Sequence, residues 1–440
     1  MQIAIPKEIH QDETRVAATP EMVKKYIALG FDVVIQNGAG DSASYTDEAF
    51  RQAGAKLLKS AKDTVKNADI VLKLRAPAVS EITDYSKNTI LICLMEPHNN
   101  GDVMAALAKQ GVKAFGMELV PRITRAQSMD VLSSQSNLAG YKAVLDAAAE
   151  FGRAFPLMMT AAGTIPPAKV FVMGAGVAGL QAIATAKRLG AVVSATDVRA
   201  AAKEQVESLG GKFVMVEDDE DKQAETAGGY AKEMSKDYQK KQAALIAETI
   251  AKQDVVITTA LIPGRTAPVL VTAEMVKTMK PGAVVVDLAV EQGGNCALSE
   301  AGKTVDVNGV KIIGHRNVPG RVAVDASALY ARNLFNFVQL LLAEDKKSLI
   351  SKFEDEILKA SLLTDNGTLV HKDFGSGATK TKPATKKAAT KKPAAKKKTA
   401  AKKAAPKKGT AAKKSTAAKK SPSRKAAGTT RKPEDKESKS

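Results

Sequence analysis

Short apolar runs alternate with helical patterns along most of this 440-residue chain, and they do so in two separate passes. In the first pass QIAIP, DVVIQNG, IVLKLRAP, TILICLM and AFGMELV read as strands, with EMVKKYIALG, TDEAFRQAGA and GDVMAALAKQG as the helices between them. A parallel strand pair needs a crossover, and a helix laid on the sheet is the usual one, so this alternation predicts parallel sheets covered on both faces. The second pass begins at AKVFVMGAGVAGLQAIATAKRLGAVVSATDVR and continues through KFVMV, DVVITTAL, AVVVDLAV and VKIIGHRNV. The fold class expected is α/β, with two Rossmann-like doubly wound parallel-sheet domains.

Residues 134–165 read as a long helix and connector, residues 323–345 as a second long helix, and residues 346–375 as a further helix and a turn. The expected organisation is an N-terminal α/β domain of residues 1–133 completed by 325–375. A second domain of residues 134–324 is inserted into it, and the two long helices link the lobes across a cleft.

The net charge of +19 has the look of a nucleic-acid binder until it is divided. Residues 376–440 hold 23 Lys/Arg and 3 Asp/Glu, a net of +20, and leave the rest of the chain at −1. This tail (TKKAATKKPAAKKKTAAKKAAPKK) has no aromatic or large aliphatic side chain, so it buries too little to offset the entropy of ordering and is expected to be disordered. A flexible polycation binds polyanions by counterion release, and nucleic acid and anionic lipid are both open as its partner. No apolar run reaches the roughly 18–20 residues that a membrane-spanning helix needs. MQIAIPKEIH reads as a strand rather than a signal peptide, and Cys93 and Cys296 form no metal or disulfide pattern. The expectation is a soluble, cytosolic body.

The strongest local motif is VFVMGAGVAG, with Gly174, Gly176 and Gly179 spaced as GxGxxG between a strand and a helix. Gly174 permits the tight turn, Gly176 lets a pyrophosphate approach the backbone, and Gly179 lets the helix pack closely on the strand. The free N–H groups of the helix start favour phosphate. Asp197 ends the next strand, 18 residues past Gly179, where a carboxylate accepts from a ribose 2′-OH. Its charge favours NAD over NADP, although Arg199 is placed to pair with a 2′-phosphate. Leu261 and Pro263 follow a later strand and stand where they can flank the nucleotide. Residues 217–241 form a charged insertion in which Gly228 and Gly229 precede Tyr230, the pattern of a mobile flap. The four histidines, His10, His98, His315 and His371, have no evident catalytic context.

One junction is crowded with hydrogen-bonding groups. PRITRAQSMDVLSSQSNLAGY, residues 121–141, sets Arg122, Arg125, Gln127, Asp130, Ser133 and Ser134 together between an apolar strand and an alanine-rich helix. This stretch, with IPKE, DETRVAATP, VFVMGAGVAGLQAIATAKRLGA, ITTALIPGRTAPVLVT and VVVDLAVEQGGN, resembles the alanine dehydrogenase/transhydrogenase family over residues 1 to about 370. Within it, the chain is most similar to the NAD(H)-binding branch of the proton-translocating transhydrogenases.

The resemblance implies that the 121–134 loop holds the nicotinamide end of NAD(H), with Arg122, Gln127, Asp130 and Ser133 as working groups. Arg122 and Asp130 would fix the carboxamide and hold each other, and Gln127 would reach the nicotinamide ribose. It further implies that Gly174, Ala175, Gly176 and Val177, then Asp197, Val198 and Arg199, and Leu261 contact the cofactor. Tyr230 would close over it, with Gln242 nearby. NADP(H) would be carried by a partner subunit, with membrane-embedded subunits coupling hydride transfer to proton movement. A homodimer and a place at the cytoplasmic face of the inner membrane follow from the same resemblance.

The departures point the same way. Members of the family that act on alanine bind pyruvate with an arginine and a lysine, for which Arg15 and Lys73 stand in matching places. They also use a histidine where this chain has Met95 or Glu96, and an aspartate where it has Glu291. The acid/base group of amino-acid chemistry is missing while the nucleotide motifs are complete. Two other readings remain open at this point: an alanine dehydrogenase-like enzyme, and an NAD-binding protein with a nucleic-acid-binding tail.

Overall fold

The computed structural model describes residues 1–199, 201–216 and 235–375, with the backbone alone for residues 236, 238 and 239. The tail expected to be disordered, residues 376–440, lies outside the described residues. In chain order the first strands are β1 (Gln2–Ile5), β2 (Asp32–Gln36), β3 (Lys56–Leu58), β4 (Ile70–Arg75), β5 (Ile90–Leu94) and β6 (Lys113–Gly116). A separate antiparallel hairpin follows, β7 (Met158–Thr160) and β8 (Gly163–Ile165). The second series is β9 (Lys169–Met173), β10 (Val192–Thr196), β11 (Lys212–Phe213), β12 (Val255–Thr258), β13 (Val284–Asp287), β14 (Lys303–Val307) and β15 (Val310–Gly314). Finally β16 (Leu362–Asp365) and β17 (Thr368–Leu369) return to the first sheet.

The first sheet has the order β17-β16-β6-β5-β4-β1-β2-β3, and the second β11-β10-β9-β12-β13-β15-β14. β1 pairs in parallel with both β2 and β4, and β9 with both β10 and β12. Each sheet therefore has a switch point, at the carboxyl ends of β1 and β4 and of β9 and β12, where neighbouring crossovers diverge and leave a crevice.

Alternation along the strands sorts the side chains. Ile3, Ile5, Leu72 and Leu74 pack with Tyr330, Leu334 and Phe337 of the helix Ala323–Gln339, while Ala4, Val71, Leu91 and Cys93 face a second core. In the second sheet Val170 and Val172 meet Ala143 and Ala147 of the helix Val131–Glu150, and Phe171 and Met173 meet Ile246 and Ile250. That 20-residue helix lacks a sharp polar face because it is covered from several sides. It packs on the helix Val177–Arg188 of the second lobe. It is also tied to the helix Ala323–Gln339, with Ser134 Oγ on Asn333 Oδ1 at 2.8 Å and Gln135 Nε2 on the Ala326 carbonyl at 3.1 Å.

Three segments differ from the pattern-based expectation. Residues 346–375 hold a short helix, Glu356–Ser361, and then the β16–β17 hairpin, not a helix and a turn. Asn366 and Gly367, at φ 48° and 78°, make its two-residue turn, the backbone that an Asn-Gly pair favours. The long helix predicted within 134–165 ends at Glu150, and β7–β8 occupies part of the connector. The helix predicted over 323–345 stops at Gln339. Among the described residues no helix is long and apolar enough to cross a membrane.

Candidate functional site

The glycine-rich turn follows β9. Gly174 takes φ 104°, and a Cβ there would lie 2.5 Å from Thr259 Oγ1, so the position is confined to glycine by both backbone and space. Gly179 meets the turn itself: a Cβ on it would fall 1.8 Å from the Gly174 carbonyl oxygen. A Cβ on Gly176 would meet nothing within 4 Å among the described residues, and this residue caps the helix Val177–Arg188 with no side-chain cap bond. Gly176 and Val177 are exposed and Ala175 is buried. The result is an open, unblocked helix start of the kind that accepts a phosphate.

Asp197 lies against this turn. Its Oδ2 accepts from Ala175 N at 2.7 Å and from Arg199 Nη2 at 3.1 Å, and its Oδ1 accepts from Arg199 N and Nε, both at 2.9 Å. Val198 is half-buried between them. The carboxylate is thus held in place and mostly hidden, with the arginine folded back onto it.

The 121–130 loop is a short 3₁₀ helix, Thr124–Met129, that runs directly into the helix Val131–Glu150. Asp130 caps that helix, accepting from Ser133 N at 2.8 Å and Ser133 Oγ at 2.6 Å. Among the described residues the expected mutual hold of Arg122 and Asp130 is not formed, and the carboxylate's hydrogen bonds come from Ser133 at the helix start. Arg122 and Gln127 are exposed, and neither side chain makes a hydrogen bond or ion pair to a described residue. The loop is anchored from behind. Asn333 Nδ2 and Asn336 Nδ2 donate to the Ser128 carbonyl at 2.7 and 3.1 Å, and Arg125 forks onto Asp355 at 2.7 and 3.1 Å. Arg125 therefore serves the scaffold.

At the carboxyl ends of β1, β4 and β5 a chain of charges runs from the buried Arg15, Glu13 and Lys73 out to the exposed Glu96. Arg15 binds Glu13 through Nε at 2.7 Å and Nη2 at 2.6 Å, and its Nη1 donates to Gln135 Oε1 at 2.7 Å. Arg75 reaches Glu13 Oε2 at 3.1 Å and Glu96 Oε1 at 2.7 Å. Burial works against the Glu13 charge, but the hydrogen bonds and charge of Arg15, with the charge of Arg75, hold its carboxyl down at about 2. Lys73 is fully buried, 3.5 Å from Glu8 and 3.3 Å from Glu81; burial opposes its charge and these carboxylates push its pKa up. Met95 is buried in the core, and Glu96 takes φ 47° with its side chain on Arg75. Glu291 Oε2 accepts from Asn317 N at 2.9 Å. Every group that stands in a substrate-carboxylate or acid/base position of amino-acid chemistry is thus already engaged or is apolar.

Leu261 is 45 % exposed on the loop after β12. Its neighbour Ala260 is pinned by the buried Asn295, which accepts from Ala260 N and donates to Ala260 O, both at 2.9 Å, and donates to Pro268 O at 2.8 Å. Thr259 Oγ1 donates to the Gly174 carbonyl at 3.0 Å and ties this loop to the glycine-rich turn. Asn295 and Thr259 carry no signal of their own in the sequence, though both sit inside the EQGGN and ITTALIPG runs. Gln242 is half-buried on the helix Lys236–Ile250, and no hydrogen bond joins it to the turn. Tyr230, with the flap expected around it, lies outside the described residues. The structure thus brings together the turn, Asp197, Arg199 and the Leu261 loop. The Asp130 loop approaches from the first lobe along the helix Val131–Glu150.

Comparison with known proteins bears on this arrangement. Residues 4–139 match the family described as alanine dehydrogenase/PNT, N-terminal domain, and residues 143–372 match its C-terminal domain. The chain is 57% identical over 384 residues to the first part of the NAD(P) transhydrogenase alpha subunit of Rhodospirillum rubrum, covering 86% of this chain and 100% of that one. A transhydrogenase structure from Sinorhizobium meliloti superposes with a TM-score of 0.77 at 56% identity, over 84% of this chain and 100% of that one. The alanine dehydrogenase of Bacillus subtilis is more distant, 29% identical over 84% of this chain and 93% of its own. The chain belongs to the alanine dehydrogenase/PNT family, on its transhydrogenase alpha-subunit branch.

Proposed function

We propose that this chain is the NAD(H)-binding subunit of a proton-translocating transhydrogenase. NADH bound here gives a hydride to NADP⁺ held by a partner subunit, and membrane-embedded subunits couple that step to proton movement. The adenosine half of the cofactor lies against Asp197 with its pyrophosphate at the helix start after Gly176, flanked by Leu261. The nicotinamide end lies at the 121–130 loop, where the side chains of Arg122 and Gln127, which bond no described residue, are available to it and Ser133 and Asp130 supply a fixed hydroxyl and carboxylate. Tyr230 is a further contact of the cofactor in this reading, with Gln242 nearby.

The observation that carries this reading is the engagement of Arg15 by Glu13 and Gln135 and of Lys73 by Glu81 and Glu8. An amino-acid dehydrogenase needs free cations for the substrate carboxylate and a group to exchange its proton. A hydride passed between two nicotinamide rings carries both electrons with it, leaves NAD⁺ and NADPH, and asks nothing of the protein but orientation. The chain would act as a homodimer at the cytoplasmic face of the inner membrane. The β7–β8 hairpin supports the dimer: isolated two-stranded hairpins are marginal in water, and this one carries Leu157, Met158 and Met159 exposed, the last at 81 %.

The test mixes the purified protein and NADH with a separately made NADP(H)-binding transhydrogenase domain and follows reduction of the NADP⁺-side nucleotide. Turnover that requires both proteins and falls sharply in Gln127→Asn and Asp130→Asn is the expected result. NADH oxidation by the chain alone with pyruvate and ammonia would replace this reading with the dehydrogenase one.

A further inference from the structure

The helix Val131–Glu150 carries a glycine near its middle, where glycine costs about 1 kcal/mol relative to alanine. Gly140 is buried, and the reason is the backbone of the neighbouring helix. A Cβ on Gly140 would lie 2.0 Å from the Ala178 carbonyl oxygen, 2.8 Å from its carbon and 3.0 Å from its Cα. The obstacle is main chain, so no rotamer change relieves it. Beside the contact, Asn137 Nδ2 donates to Gln181 Oε1 at 3.3 Å across the same two helices.

The positions of these residues matter. Ala178 is the second residue of the helix that starts at the glycine-rich turn, and Asp130 is the cap of the helix that holds Gly140. Gly140 is ten residues along, about 15 Å from that cap. We propose that Gly140 is a positioning residue: its missing side chain sets the distance between the glycine-rich turn and the 121–130 loop, so that one dinucleotide spans both. This rests on the reading that NAD(H) lies across the two.

The helix Val177–Arg188 is locked to its turn by Gly179, whose own Cβ would collide with the Gly174 carbonyl at 1.8 Å, and Thr259 holds that carbonyl from the other side. The helix Val131–Glu150 is tied in turn to the helix Ala323–Gln339 at Ser134 and Gln135, so a methyl group added at Gly140 pushes the first lobe, with the 121–130 loop, as a body away from the turn. A probe that touches only the turn and Asp197 should not sense the change, whereas one that also reaches the loop should.

The experiment compares the affinities of wild-type and Gly140→Ala full-length protein for NADH and for ADP, by titration calorimetry. The expected result is an NADH affinity reduced at least about tenfold with ADP affinity held within about twofold. Loss of both ligands in equal measure, or of neither, overturns the proposal, because a merely destabilised protein or an inert position would give those patterns. Should Gly140→Ala not fold, Asn137→Ala carries the test. It loosens the same helix pair, and selective weakening of NADH supports the proposal while an equal or absent effect overturns it. A wild-type protein that binds neither ligand overturns the dinucleotide reading, and the proposal with it.

Discussion

The guanidinium and backbone of Arg199 occupy three of the contacts made by the Asp197 carboxylate, and Ala175 N takes the fourth. An ionised carboxylate has about four acceptor positions, so a ribose diol has to displace part of Arg199 to be recognised. Asp197→Ala should weaken NADH about 10- to 100-fold, the range of one or two hydrogen bonds to a charged group. NADPH should lose less, because the same change removes the negative charge that faces its 2′-phosphate. Fluorescence titration with both nucleotides measures this, and an equal loss for the two would disprove the assignment.

The Arg15–Glu13 pair has almost no access to solvent. Removing one partner leaves the other charged and buried, which costs about 3–5 kcal/mol. Glu13→Ala should lower stability by that order in urea unfolding, and Glu13→Gln by somewhat less, because its amide keeps one acceptor for Arg15. A change below about 1 kcal/mol in Glu13→Ala would mean that the pair is dispensable.

Glu118 behaves in the opposite sense. Its Oε1 accepts from Met95 N at 2.8 Å and from Glu96 N, but Oε2 has no partner among the described residues, and burial pushes the carboxyl up to about 6 against the backbone N–H groups that favour its charge. With the folded pKa above the unfolded one, the unfolded chain releases this proton first as pH rises. Stability therefore falls between about pH 4.5 and pH 6, by about 2 kcal/mol for this group. Glu118→Gln keeps an acceptor for Met95 N without the charge. Its melting temperature relative to wild type should rise from pH 5 to pH 7.5, and a flat difference across that range would count against the buried charge.

If the β7–β8 hairpin is the contact between protomers, Met159→Asp should convert the dimer to a monomer in light scattering at micromolar concentration. The side chain is exposed, so the monomer itself should keep its fold. A dimer that survives the substitution moves the interface elsewhere.

The parts of this fold that are legible in the sequence are those encoded locally. The turn from Gly174 to Gly179 reads directly because backbone angle, close approach and helix start are all set within six residues, and Asp197 follows at the end of the next strand. The apolar runs that form β1, β4, β9 and β12 read clearly because buried parallel strands tolerate little else. What cannot be read depends on pairs far apart in the chain. Gly140 looks like a helix weakness until Ala178 is placed against it. Asn295 looks like the tail of an EQGGN run until it pins Ala260. The pairing of Arg122 with Asp130 that the resemblance implies is absent among the described residues, where the carboxylate bonds Ser133 at the helix start instead.

The helix Val131–Glu150 also has a mechanical meaning. Its close approach to Ala178 falls midway along its length, about 15 Å from Asp130 at one end and from Glu150, held by Lys311 at 2.6 Å, at the other. A tilt of only about 4° about that point would carry Asp130 through about 1 Å. If the proposed hydride transfer asks only for orientation, a displacement of that size would change its rate by about a hundredfold. The ties of Ser134 to Asn333 and of Gln135 to Ala326 oppose such a tilt and so guard that alignment.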